Sequence, residues 1–237
     1  MDLKETDILG DDIAAHWYYQ AKAAATLRLL RTQEPTVILD VGAGSGFFSR
    51  YLLAHTSASA AWCVDISYLE DVDSEAQGKP IYYRRSLDAV DADTVLLMDV
   101  LEHVEDDVAL LADYARRVPA GAQFLISVPA FQFLWSGHDE FLEHKRRYTL
   151  SQLEACVRRA GLKPVIKTYY FGLVFPLAVT TRLATRLLTS RGGVARSQLK
   201  RHGPFTNAAL AAVCKAELPF LRVNRLAGLT AFCLAVR

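Results

Sequence analysis

Residues 38–53 read ILDVGAGSGFFSRYLL, and this stretch constrains the fold more than any other. An apolar run ends in Asp40, a turn of small residues follows, and a helical pattern begins at once. Glycine tolerates left-handed backbone and lets the chain approach a ligand closely, while a helix start presents unpaired N–H groups. The spacing excludes the dinucleotide fingerprint GxGxxG, which would need glycine at position 47, where Phe47 stands. The pattern present is GxGxG.

Short β-rich runs recur along the chain: TVILDV (36–41), AAWCVDI (60–66), PIYYRR (80–85), DTVLLMDV (93–100) and AQFLISV (122–128). Helical patterns flank or separate them, namely AAHWYYQAKAAATLRLLR, FFSRYLLAH and EDDVALLADYARRV. Nearly continuous apolar runs suit strands covered on both faces, so a parallel α/β sheet is the expected class. A helix is expected from Leu150 to about Ala160, with capping signals at Thr149…Gln152 and Ser151…Glu154 and Gly161 just past its end. A strand at about 163–170 follows, and LTAFCLAV (229–236) reads as the last one.

Composition narrows the class further. A length of 237 residues with 51% hydrophobic content suits one globular domain with a large core. Cys63, Cys156, Cys214 and Cys233 are scattered without a CxxC pair, so reduced core thiols are expected and neither a disulfide framework nor a metal site is. The start, MDLKETDILGDD, is acidic and carries no continuous apolar stretch, so a secretory signal is not expected and a cytoplasmic location is. The net charge of +1 hides a split: −12 through Glu154 and +13 after it, where Glu217 is the only acid. Such asymmetry suggests that the C-terminal third faces something anionic, or else balances the acidic part.

Residues 171–227 depart from the strand–helix alternation. FGLVFPLAV is too short to span a bilayer at ~20 residues. It continues into a basic stretch in which Leu183, Leu187 and Leu188 share a helical face while Arg182 and Arg186 lie one turn apart. Such a helix either rests on an anionic membrane interface or packs its leucines on the domain. The expected layout is therefore a domain of residues 1–170 and 228–237, with a helical, basic and apolar insertion at 171–227 that covers the acceptor or touches the inner face of the membrane.

The glycine motif and strand order resemble those of the class I S-adenosylmethionine-dependent methyltransferases, over about His16 to Tyr170 and the final strand. The resemblance implies a Rossmann-like, seven-stranded, mostly parallel sheet flanked by helices, and S-adenosylmethionine as cofactor. It implies that Asp40 orders the loop, that Gly42, Ala43, Gly44, Gly46 and Phe47 surround the methionine end and ribose, and that Asp65 binds the ribose hydroxyls. A carboxylate accepting two hydroxyls suits a cis-diol. Ile66 would lie on the adenine and Asp88 near its amino group. MDVLEHVEDD (98–107) is similar to the LEHV segment of the ubiquinone and menaquinone pathway methyltransferases, which places Asp99, Val100 and His103 near the transferred methyl, with Glu102 structural or hydrogen-bonding beside the cofactor.

The acceptor side is read from two further stretches. HWYYQAK (16–22) resembles the aromatic opening of a subfamily. Trp17, Tyr18 and Tyr19 cannot share one helical face, so at least one should face the cleft while two pack in the core. SVPAFQFLWSGHDEFLEHKRRYT follows the fifth strand, at the carboxyl ends where open α/β sheets bind ligands. Phe131 and Trp135 would wall the acceptor, and Arg146, Arg147 and Tyr148 would bind an anionic group or instead pair with Asp139, Glu140 and Glu143 to hold a lid. His138, then His144 and His103, are the candidate bases for a hydroxyl acceptor, with Asp139 orienting an imidazole. The favoured function is O-methylation of a small or lipid-like molecule. The alternatives are N- or C-methylation, and RNA methylation through the basic third. The chain lacks the (D/N)PPY-type tetrad used on base amino groups.

Overall fold

The structure is a computed structural model, and it describes residues 10–188 and 203–237. Eight strands form one sheet in the order β3-β4-β2-β1-β5-β6-β8-β7. They are β1 Val37–Val41, β2 Ala60–Val64, β3 Val72–Ala76, β4 Lys79–Arg84, β5 Thr94–Met98, β6 Gln123–Pro129, β7 Lys163–Tyr170 and β8 Thr230–Val236. Strands β4, β2, β1, β5 and β6 run parallel, while β8 pairs antiparallel with both β6 and β7.

All seven strands read from the sequence are present, and the sheet carries one more. β3 has the sequence VDSEA, is largely exposed and pairs antiparallel with β4 at the sheet edge. Gln77 and Gly78 between them have φ of +58° and +70°, as a tight two-residue hairpin requires. With only Val72 and Ala76 apolar, at its two ends, it carries no buried face, and so no signal of the kind that marked the others.

The helices are α1 Trp17–Leu30, α2 Phe47–His55, α3 Asp107–Arg117, α4 Gly137–Phe141, α5 Leu150–Arg159, α6 Phe175–Leu188 and α7 Pro204–Glu217. Strand residues alternate between two cores. Ile38, Cys63, Leu96 and Phe232 pack with α1 and α2, whereas Leu39, Val64, Leu97 and Cys233 pack with α3 and α5, as the two-residue period of a strand dictates. All four cysteines are free and buried. At α5 the cap is Thr149 with Gln152, and Gly161 takes φ +85°; Ser151 and Glu154 form no cap.

Between β7 and β8 the chain runs through α6 and α7. α7 buries only Cys214 and Glu217, yet it grips the domain. The Asn207 side chain accepts from Trp17 N and donates to Ala15 O, each at 2.9 Å. Farther on, Arg222 donates to Leu29 O at 3.2 Å. The side chains of Arg186, Leu187 and Leu188, and the basic stretch that follows, lie outside the described residues.

Candidate active site

The glycine turn leaves β1 at the carboxyl edge of the sheet. Gly42, Gly44 and Gly46 have φ of +66°, +53° and +71°. A Cβ on Gly42 would meet Val100 Cγ2 at 2.7 Å, and one on Gly46 would meet the Tyr83 hydroxyl at 2.9 Å. Only glycine satisfies both the backbone and the space. Asp40 is buried beneath the turn and accepts from Ser49 Oγ at 2.8 Å. Burial pushes its pKa up to about 6, against the stabilising Ser49 hydroxyl.

Asp65 follows β2 directly and ties its loop to the turn, with Oδ2 accepting from Gly44 N at 2.9 Å and Oδ1 from Ser67 N at 3.0 Å. The Ser67 hydroxyl also donates to Oδ1. A carboxylate oxygen accepts about two hydrogen bonds, so capturing a diol with both oxygens requires the exposed Ser67 hydroxyl to turn away. Beside it Ile66 is 88% exposed, an apolar surface available to a flat ring. Ser45 Oγ, inside the glycine turn, is buried with no partner among the described residues. An orphaned hydroxyl, a crowded glycine cradle and a carboxylate facing solvent suit an adenosyl-bearing cofactor. Ala43 and Phe47 are buried, Phe47 with its ring 5.7 Å from that of Tyr19. Asp88 is exposed.

At the end of β5, Asp99 takes φ +56°, a conformation that aspartate tolerates better than most residues. Its carboxylate pairs with Lys22 of α1, which is fully buried, and accepts from Ser127 Oγ at 3.3 Å. Burial lowers the Lys22 pKa, but the Asp99 charge more than offsets this and holds it raised. Burial likewise raises Asp99, and Lys22 holds it below the usual range. Glu102 is wholly buried, and burial next to Asp99 raises its pKa well above normal.

A cavity of about 240 Å³ opens beside these residues. It brings together Asp99, Glu102, His103, His138, His144 and Arg147, which come from the segments after β5 and β6. Trp17 and Tyr18 form a further wall and only Tyr19, at 1% exposure, is core, where at least one aromatic at the cleft and two in the core were expected. Ala178, Thr181 and Arg182 of α6 line it as well. Lys22 and Ser45 were missed by the sequence reading, as was the place of Arg182 in the cavity wall. Lys22 had one signal, since Tyr18, Lys22 and Thr26 repeat at helical spacing on the inward stripe.

The segment 138–149 is organised by Asp139. It is fully buried and completes a capping box with Ser136, whose N–H it accepts at 2.8 Å. Arg147 binds it through Nε at 2.6 Å and Nη2 at 3.0 Å, and His144 Nδ1 lies 3.0 Å away. Burial alone would raise the Asp139 pKa, but the His144 and Arg147 hydrogen bonds hold it far below the carboxylate range. Of the two expected roles for Arg147, the structure places it in the internal pair, although its side chain also reaches the cavity wall. Arg146 donates to Val104 O and Glu105 O, and Tyr148 is buried with its hydroxyl on Asp107 at 2.8 Å, so neither lines the cavity. Phe131 stacks on Tyr169 with ring centroids 4.8 Å apart, and Trp135 is half-buried; both also stand outside it. Burial drives His138 down to about 4, although Asp139 pulls the other way.

Comparison with known proteins places this geometry. A sequence family described as "Methyltransferase domain" matches residues 14–167. No curated protein matches the sequence. Among solved structures, the chain is similar to the Haloferax volcanii protein in complex with the methyltransferase activator Trm112, with TM-score 0.56, 16% identity, and 95% of this chain and 91% of that one covered. It is also similar to Haemonchus contortus phosphoethanolamine N-methyltransferase 2 in complex with S-adenosylmethionine, with TM-score 0.52, 14% identity, and coverage of 90% and 52%. A third is an S-adenosylmethionine-dependent methyltransferase from Mesorhizobium loti, with TM-score 0.51, 16% identity, and coverage of 92% and 100%. The family match spans well over half the chain and coincides with the glycine cradle and the carboxyl-end cavity. The chain belongs to the class I methyltransferase family, and its cofactor is S-adenosylmethionine.

Proposed function

We propose that the enzyme methylates a hydroxyl oxygen of a small or lipid-like acceptor, with a histidine removing the proton. The observation that carries this reading is the convergence of His103, His138 and His144 on one cavity with Asp99. At about 240 Å³ the cavity lies below the ~300–1,000 Å³ usual for ligand sites, so it fits the reactive head of a lipid-like acceptor rather than its chain. The buried Trp17 indole N–H has no partner among the described residues and is a donor available to that head.

S-adenosylmethionine supplies a methyl group on a sulfonium sulfur, a good leaving group. The protein's task is to align the acceptor oxygen, for which orientation contributes on the order of 7–11 kcal/mol, and to take its proton. His138, held neutral by burial, is ready to accept at neutral pH. Asp139 fixes the ring of His144 instead.

The test has two arms. Product-cofactor binding, measured by calorimetry, should weaken at least ~100-fold in Asp65→Ala, two hydrogen bonds to a charged group being worth roughly 3 kcal/mol or more. A panel of hydroxyl and amine acceptors with labelled cofactor should show transfer to oxygen, and His138→Ala should lose roughly 10²–10⁴ in turnover at unchanged cofactor affinity. Transfer confined to amines, or full turnover in His138→Ala, would overturn the reading.

Peripheral contact with an anionic membrane belongs to the same proposal. Eight of the thirteen large apolar residues exposed among the described ones lie between Leu173 and Leu226, including Leu177, Phe205 and Phe220. The same part of the chain is almost purely basic.

A further inference from the structure

We propose that Glu102, His103 and His144 bind one divalent first-row transition-metal ion on the wall of the acceptor cavity. Each offers a donor atom that lies within 4.8 Å of the other two. The two imidazoles meet edge to face, with centroids 4.8 Å apart. All three residues line the cavity.

Two observations point to a ligand here independently of the residue types. Glu102 is fully buried, and neither of its carboxylate oxygens has a hydrogen-bond partner among the described residues. A buried carboxyl group left without partners is costly and uncommon in native proteins. His144 shows the second feature. Its Nδ1 faces the Asp139 carboxylate at 3.0 Å, and Arg147 clamps that carboxylate with two hydrogen bonds. This pairing keeps the proton on Nδ1 and leaves Nε2 as the lone-pair atom. A carboxylate behind the imidazole is the usual outer support of a metal-ligating histidine.

The donor set selects the ion. Two imidazoles and one carboxylate suit Mn²⁺ through Zn²⁺, whereas Mg²⁺ and Ca²⁺ take oxygen ligands. Bonds of ~2.0–2.2 Å around a tetrahedral ion set donors roughly 3.3–3.6 Å apart, so a pair standing near the 4.8 Å limit draws together by about 1 Å or more on binding. Three protein ligands leave the cavity side open to an oxygen of the acceptor, as in catalytic rather than structural metal sites.

The inference deepens the O-methylation reading and rests on it for its chemistry. The acceptor oxygen binds the ion, and its O–H bond breaks with the proton passing to His138. The oxygen lone pair then forms the new C–O bond as the C–S bond of the sulfonium breaks, its electron pair remaining on sulfur. His103 and His144 act as ligands in this arrangement, which leaves His138 as the base.

Chelator-stripped full-length protein would be titrated calorimetrically with Mn²⁺ and Zn²⁺, and with Co²⁺ followed by visible absorption. We expect one ion per chain. Affinity should fall at least ~100-fold in His144→Ala and in the isosteric Glu102→Gln, and roughly 10–100-fold in Asp139→Asn. Thermal melting and product-cofactor binding should persist in Glu102→Gln, which separates ligand loss from misfolding. A wild-type chain that takes up no stoichiometric ion, or unchanged affinity in both Glu102→Gln and His144→Ala, would overturn the site. The titration needs no acceptor: an ion bound as expected with no transfer to any hydroxyl would overturn the O-methylation reading alone.

Discussion

Lys22 lies fully buried in an alanine-rich helix and pairs with Asp99, which is 24% exposed in its side chain. Removing one partner of a buried pair strands the other charge, at about 3–5 kcal/mol when burial is complete. The partial exposure of Asp99 lowers that figure. Lys22→Met should destabilise the protein by roughly 2–3 kcal/mol in denaturant unfolding, and product-cofactor affinity should fall with it. His138 gives a prediction with a defined sign. Its folded pKa of about 4 lies below the ordinary value of 6.5, so between those pH values the unfolded chain binds the proton and the folded one does not. Stability from this residue is therefore intact near pH 7 and lost as pH falls from 6.5 to 4, by up to about 3 kcal/mol. His138→Gln should flatten that part of the stability–pH curve. If His138 is the base, the acidic limb of turnover should also lie near pH 4, not 6.5.

At the scale of elements, α7 and the turn that follows it do for α1 what no residue within α1 can do. Asn207 holds its first turn through Trp17 N and Ala15 O, and Arg222 reaches the carbonyl of Leu29 at its last. Asn207→Ala removes two hydrogen bonds, which should cost about 1–2 kcal/mol in thermal or chemical unfolding. Because Trp17 and Tyr18 wall the cavity, the acceptor KM should rise more than kcat falls. Most elements were legible in the sequence for simple reasons. Seven strands carry apolar runs, Thr149 and Gln152 cap α5, and the glycines spell out the turn after β1. β3 was not legible, because five mostly polar residues on an edge leave no periodic trace. The clamp from α7 was not legible either, since it joins positions 190 residues apart. The same limit applied to the site. Asp40 and the glycines sit in one local motif and Asp65 closes the next apolar run, whereas the meeting of His103 with His144 depends on two loops that only the sheet brings together.

On the scale of the whole molecule, excess positive charge and exposed apolar surface both concentrate late in the chain. No helix among the described residues is long and apolar enough to cross a bilayer, so contact would have to be interfacial. Flotation with vesicles containing about 30% anionic lipid should recover the protein, and the fraction bound should fall steeply with salt, as screening shortens to ~8 Å at physiological ionic strength. Phe205→Ser combined with Phe220→Ser should reduce binding several-fold without changing product-cofactor affinity. No flotation at low salt would remove the membrane proposal and leave the acceptor chemistry standing.

Asp139 ties together Ser136, His144 and Arg147, and Arg147 in turn holds the carbonyl of Ala130 at 3.1 Å. One carboxylate thus fixes a whole side of the cavity, and a change at any of these positions disturbs all of them. The part of the wall from α6 is built differently: Ala178 and Thr181 sit on a helix that shares little of the core, so they can be exchanged one at a time. Laboratory selection for a new acceptor should therefore gather its first substitutions along α6, and a library confined to 136–147 should yield mostly inactive chains.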